Sequence, residues 1–164
     1  MPFGTTVAMN LIHLHLALNH VPVVGTVFGV GLLGYALWRK SEEVKRVAMG
    51  VFVIVALMTI PVYLTGEASE DAAKALPEVT AAHIERHDQA AAIAFTSVLV
   101  IGIFAFVGLV RFRGGRQLPS WFTSTLLAAS LIVSGLMGWT ANLGGQIRHT
   151  EIRSSSILPT AISP

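Results

Sequence analysis

The chain has 164 residues, 53% of them hydrophobic and only 12% charged, with a formal charge of +2 and no cysteine. The charged share is about half of the roughly 25% carried by soluble domains, which points to lipid as the solvent; the missing cysteine excludes disulfides, thiolate metal sites, CxxC redox chemistry and c-type haem attachment. The positive balance does not imply nucleic acid, because the basic residues form no aromatic-interleaved patch.

The N-terminal MPFGTTVAMN has no basic n-region and no clear cleavage site, so the first span is expected to serve as the insertion signal. VAMNLIHLHLALNH follows. Pro22 disfavours an α conformation at Val21, which predicts either an interfacial helix bending into the membrane near His20 or a kinked continuation.

A hydrocarbon core of about 30 Å needs roughly 20 apolar residues per helix. Four stretches meet this without Asp, Glu, Lys or Arg: Val21 to Trp38, Val47 to Leu64, Ala90 to Val110 and Trp121 to Leu143. Short connectors, WRKSEEVKR and RFRGGRQLPS, make consecutive spans antiparallel neighbours. The expected fold is all-α: an integral membrane four-helix up-down bundle forming one domain, residues 1–164.

Pro61 predicts a bend near the end of the second span. The connector beyond it is expected to be helical, with Ser69 capping a short acidic turn and Pro77 near the start of a helix that runs on into the third span. A helix from Pro77 to Arg111 would be about 52 Å long at 1.5 Å per residue, so its first turns would stand above the lipid. Asn142, Gln146, His149 and Arg153 recur at helical spacing, as though the fourth helix also overran the membrane; Gly144 and Gly145 are an alternative stop.

Charge sets the orientation. Arg39, Lys40, Lys45, Arg46, Arg111, Arg113 and Arg116 flank the first and third connectors, whereas acidic residues dominate the opposite side. The basic side is expected to be cytoplasmic, with both termini and the second connector on the outer, periplasmic side of a bacterial inner membrane.

All six histidines, His13, His15, His20, His83, His87 and His149, then fall on the outer side. Neutral imidazole binds haem iron, copper, zinc and non-haem iron. His13 and His20 share a helix face while His15 points elsewhere, and His83 and His87 share another. One helix cannot supply both faces of a haem, so His20 opposite His87 is the favoured axial pair, with His149 and His15 or His13 as the second possibility. The leading expectation is a b-type haem protein in electron transfer at the outer face, alone or as a subunit of a redox complex, with other subunits or a periplasmic electron carrier as partners.

Two other classes fit the same residues. A copper, iron or zinc site could use His20, His87 and His149 with Glu67, Glu85 or Glu151, and a cofactor-free accessory subunit could use the histidines for hydrogen bonds at an interface. HIERH is not the HExxH zinc-protease motif, and no charged residue lies within the spans to mark a transport pathway. Gly25, Gly29, Gly31, Gly34, Gly135 and Gly138 suit close helix packing or a flat ligand, with packing the favoured reading. Trp38, Trp121 and Trp139 stand at span boundaries, where interfacial anchors belong.

HLALNHVPVVG, YLTGEASED, HIERHDQAA and TANLGGQIRHTEI, at the outer ends of the four spans, resemble a family of small bacterial four-span membrane proteins with a histidine motif entering the first helix. The resemblance implies a membrane bundle and places His20, His87 and His149 inside the matching motifs. It implies no particular activity.

Overall fold

The main helices among the described residues are α1 (His20–Trp38), α2 (Glu42–Glu67), α3 (Ala81–Arg111) and α4 (Ser120–Arg148). They are seen in a computed structural model that describes residues 13–67, 69, 74 and 79–148, with no strand among them. All four are long and apolar enough to cross a membrane. Their exposed surface suits lipid, since Val24, Phe28, Ile54, Ile103 and Ile132 all point outward. Apolar exposure on every helix would be an association hazard in water and is the normal state in lipid.

The polar residues are turned inward. Thr26, Thr59, Thr65, Thr123 and Ser130 are buried. Their hydroxyls donate back to helix carbonyls, as Thr26 does to Pro22 at 2.6 Å, Thr59 to Val55 at 2.7 Å and Ser130 to Leu127 at 3.0 Å. An unpaired hydroxyl in hydrocarbon would cost several kcal/mol, so each satisfies itself locally.

α1 packs against α2 and α4, and α3 against the same two helices. Leu33, Met49, Phe52, Val98 and Leu126 fill the centre, and Phe104 stacks on Phe122 with centroids 4.2 Å apart. Gly25 and Gly29 admit Val55 and Phe52 of α2, whereas Gly31, Gly34, Gly135 and Gly138 have open space where a side chain would go. The packing glycines thus include only two of the six expected. Gly102 and Gly108 on α3 also pack closely, against Ala56, Met49 and Phe122. Residues 29–34, GVGLLG, spell a dinucleotide-binding fingerprint but lie inside α1, without the preceding strand that gives those letters meaning.

The helix boundaries decide between alternatives that the sequence leaves open, and one of them, the start of α3, differs from expectation. Asn19 keeps helical angles (φ −61°, ψ −23°), so the described part of that stretch runs on into α1 and residues His13–Trp38 make one 26-residue span, the continuation rather than a separate helix. Pro22 lies one turn beyond Leu18 and removes the donor for its carbonyl, which loosens that turn without ending the helix. α3 begins at Ala81 rather than near Pro77, because Thr80 is extended (φ −95°, ψ 153°) and caps it. The helix is therefore 31 residues long, about 46 Å. α4 continues through Gly144 and Gly145 to Arg148, and α2 through Pro61 to Glu67. The expected helical turn from Ser69 to Ala75 lies almost wholly outside the described residues.

At the basic end, Ser41 caps α2 by accepting from the Val44 N–H at 3.3 Å, with Glu42 and Glu43 in the first turn where the helix dipole favours them. The Glu42 carboxylate takes Lys45 on one oxygen (2.6 Å) and the Leu118 N–H on the other (2.8 Å), and Arg46 donates to the Arg116 carbonyl. The two short connectors are thereby tied together.

Candidate functional site: a pair of clamped imidazoles

At the other end, two of the histidines are built into helix surfaces in the same way. His15 lies against α2, with Nδ1 3.0 Å from the Val62 carbonyl. His87, on α3, lies against α4, with Nδ1 3.2 Å from the Thr140 carbonyl. Both rings are half-buried.

Each ring sits over a glycine four residues past the carbonyl that holds it. A Cβ on Gly66 would stand 3.0 Å from His15 Cε1, and a Cβ on Gly144 would stand 3.0 Å from His87 Cε1. Such contacts are tighter than the ordinary 3.5–4.0 Å between carbons. Glycine is thus what lets the imidazole reach the backbone. Threonines complete both seats, with Thr65 Oγ1 3.4 Å from His15 Nδ1 and the Thr140 hydroxyl donating to the Ala90 carbonyl at 3.2 Å.

The chemistry follows from the tautomer. A carbonyl can only accept, so Nδ1 of each ring carries a proton, and in the neutral ring that leaves the lone pair on Nε2. Neither Nε2 has a hydrogen-bond partner among the described residues. This outer-shell carbonyl is the usual support of a metal-binding imidazole.

One further polar atom at this end lacks a partner among the described residues. Asn19 Oδ1 is buried and unpaired, one helical turn from His15, whose carbonyl accepts the Asn19 N–H at 2.8 Å. Buried acceptors are rarely left unmatched without a ligand or water to meet them.

The remaining candidates are placed elsewhere. His13 and His20 are exposed. His83 serves the α3 N-terminus, its Nδ1 lying 3.4 Å from the Thr80 N–H and 3.1 Å from the Thr80 hydroxyl. Glu85 is exposed and accepts from the Gln89 amide at 3.2 Å. His149, Glu151 and the Glu67 side chain lie outside the described residues. Among the described residues no three of His, Asp and Glu gather closely enough to hold a metal ion.

Asn19, Gly66, Thr140 and Gly144 carry roles that the sequence reading did not assign. The available signal was a glycine four residues after Val62 and again after Thr140. That spacing is common in membrane helices and becomes informative only when a ring is seen above it. Searches of protein-family models, curated proteins and solved structures give no match to this chain. The fold and the clamped pair therefore define only an all-α protein with four membrane-span-like helices and two imidazoles presented at one end.

Proposed function

We propose that this chain is a b-type haem protein, with His15 and His87 as the axial ligands, that carries electrons at the outer face of a bacterial inner membrane. The observation behind the reading is the duplicated clamp: two imidazoles, seated against α2 and α4, each with Nδ1 on a backbone carbonyl and Nε2 without a partner among the described residues. Bis-imidazole ligation needs that presentation from two separate parts of a bundle. The glycines at 66 and 144 suit it further, because they keep the rings close to rigid backbone.

Haem bound there would supply a one-electron couple. The protein's own contribution would be orientation, with the Val62 and Thr140 carbonyls holding Nδ1 of each ring. Asn19 offers a polar contact beside His15. His15 is preferred to His20 because His20 is exposed.

In this reading the helices run up and down, and both termini and the connector after α2 share the histidine side. The basic end supports that orientation by the positive-inside rule, since Arg39, Lys40, Arg111, Arg113 and Arg116 are exposed there. The electron partner is then a soluble periplasmic carrier or another subunit of a redox complex. No histidine lies at the basic end to continue a haem ladder across the bilayer.

An absorbance spectrum of the purified protein with and without dithionite, paired with elemental analysis, tests the proposal. The expected result is a Soret shift on reduction with sharp α and β bands, lost in His15→Ala and His87→Ala and kept in His20→Ala. Stoichiometric copper, zinc or iron without those bands would overturn it in favour of a non-haem site. Absence of both from natively prepared protein would leave the accessory-subunit reading.

A further inference from the structure

We propose that the basic end of the bundle is a binding site for the phosphate headgroups of anionic phospholipids, formed by Arg39, Lys40, Arg111, Arg113 and Arg116. The proposal is independent of any cofactor at the other end.

Of the cations gathered there, two are used internally: Lys45 is buried against Glu42, and Arg46 holds the Arg116 carbonyl. The five named above are exposed, and none pairs with a described carboxylate. Glu42 is occupied by Lys45 and by the Leu118 N–H. That leaves Glu43 as the single exposed acid nearby, so the surface carries a strong uncompensated positive charge.

The surface is also held in shape. Gly114 and Gly115 adopt φ of 72° and 77°, a left-handed turn that residues with a Cβ rarely enter, and it sets Arg113 and Arg116 on its two sides. The segment after the turn is fastened at two points, the Arg116 carbonyl and the Leu118 N–H. Arg39 lies over the Trp38 ring and Arg111 over the Phe112 ring, each 5.9 Å from the centroid. Aromatic side chains at a membrane boundary sit at headgroup level. Trp38, 76% exposed, and Trp121, 64% exposed, flank the first and third connectors in the chain. A lipid phosphate meets these groups while its acyl chains follow the apolar helices, which a soluble phosphate cannot do.

The test uses the full chain in neutral detergent, with thermal unfolding followed as phosphatidylglycerol, phosphatidylcholine or inorganic phosphate is added. Phosphatidylglycerol should raise the midpoint, the other two should not, and the effect should fade as salt is added. The triple variant Arg111→Gln/Arg113→Gln/Arg116→Gln should bind phosphatidylglycerol more weakly, by about fivefold for each cation removed. Arg86→Gln, at the histidine end, should keep the wild-type response. Should the triple variant not fold, Arg39→Gln/Lys40→Gln carries the same expectation. Equal stabilisation by phosphatidylcholine, an equal shift from inorganic phosphate alone, or an undiminished response in the folded arginine variants would overturn the proposal.

Discussion

Gly29→Ala and Gly31→Ala place the same change two residues apart on α1, in opposite surroundings. A Cβ on Gly29 would lie 2.7 Å from Phe52 Cε1, 3.0 Å from Cζ and 3.1 Å from Cδ1, whereas a Cβ on Gly31 would meet nothing within 4 Å. Phe52 is fully buried at 0% exposure, so its ring has no free space into which to retreat. Restoring ordinary carbon contact at about 3.5 Å requires α1 or the ring to move by roughly 0.8 Å. Overpacking of this kind costs about 1–3 kcal/mol. Both variants share the helix-propensity gain of Ala over Gly, about 0.8–1.0 kcal/mol. Gly31→Ala should therefore be neutral or up to about 1 kcal/mol more stable, and Gly29→Ala less stable by up to about 2 kcal/mol. The difference between them isolates packing from propensity. Reversible unfolding in mixed micelles measures it, and equal stabilities, or a less stable Gly31→Ala, would refute the close α1–α2 contact.

Gly66→Ala and Gly144→Ala should each push an imidazole off its carbonyl, because the new methyl would meet Cε1 at 3.0 Å; the reduced spectrum should weaken or shift in both, while Gly31→Ala leaves it unchanged. His83→Ala removes a contact to the α3 cap and should cost at most about 1 kcal/mol in unfolding experiments, with no change in bound cofactor. Glu42→Ala strips partners from the buried Lys45 and from the Leu118 N–H together. Its cost should exceed the roughly 1 kcal/mol ceiling of a surface ion pair, reaching about 2–3 kcal/mol in a denaturant titration. A loss below 0.5 kcal/mol would mean that the connector tie contributes little.

The spans were legible because each is an uninterrupted apolar run, and lipid tolerates backbone only when it is fully hydrogen-bonded within a helix. The separation of His15 from His13 and His20 was legible too, from helix phase alone. Which of those faces turns inward was not. α1 is apolar around its whole circumference, with Val24, Val27 and Phe28 outside and Leu33 and Ala36 inside, so no polar stripe orients it. The start of α3 was missed for a local reason: Pro77 and Thr80 are both good helix openers, and His83 reaching back to Thr80 favours the second. Gly144 read equally well as a stop, because a glycine that ends a helix and one that seats a ring look alike in one dimension.

Sequence alone determined the solvent, the number of spans, the gathering of the basic residues and the supply of imidazole, since these depend on composition and period. Tertiary structure decided that His15, rather than His20, faces the bundle, that Gly66 and Gly144 seat the two rings, and that Glu42 and Arg46 fasten the basic connector. Those facts rest on backbone carbonyls and N–H groups, which every residue carries. Only the packing of one helix on another selects which of them a side chain meets.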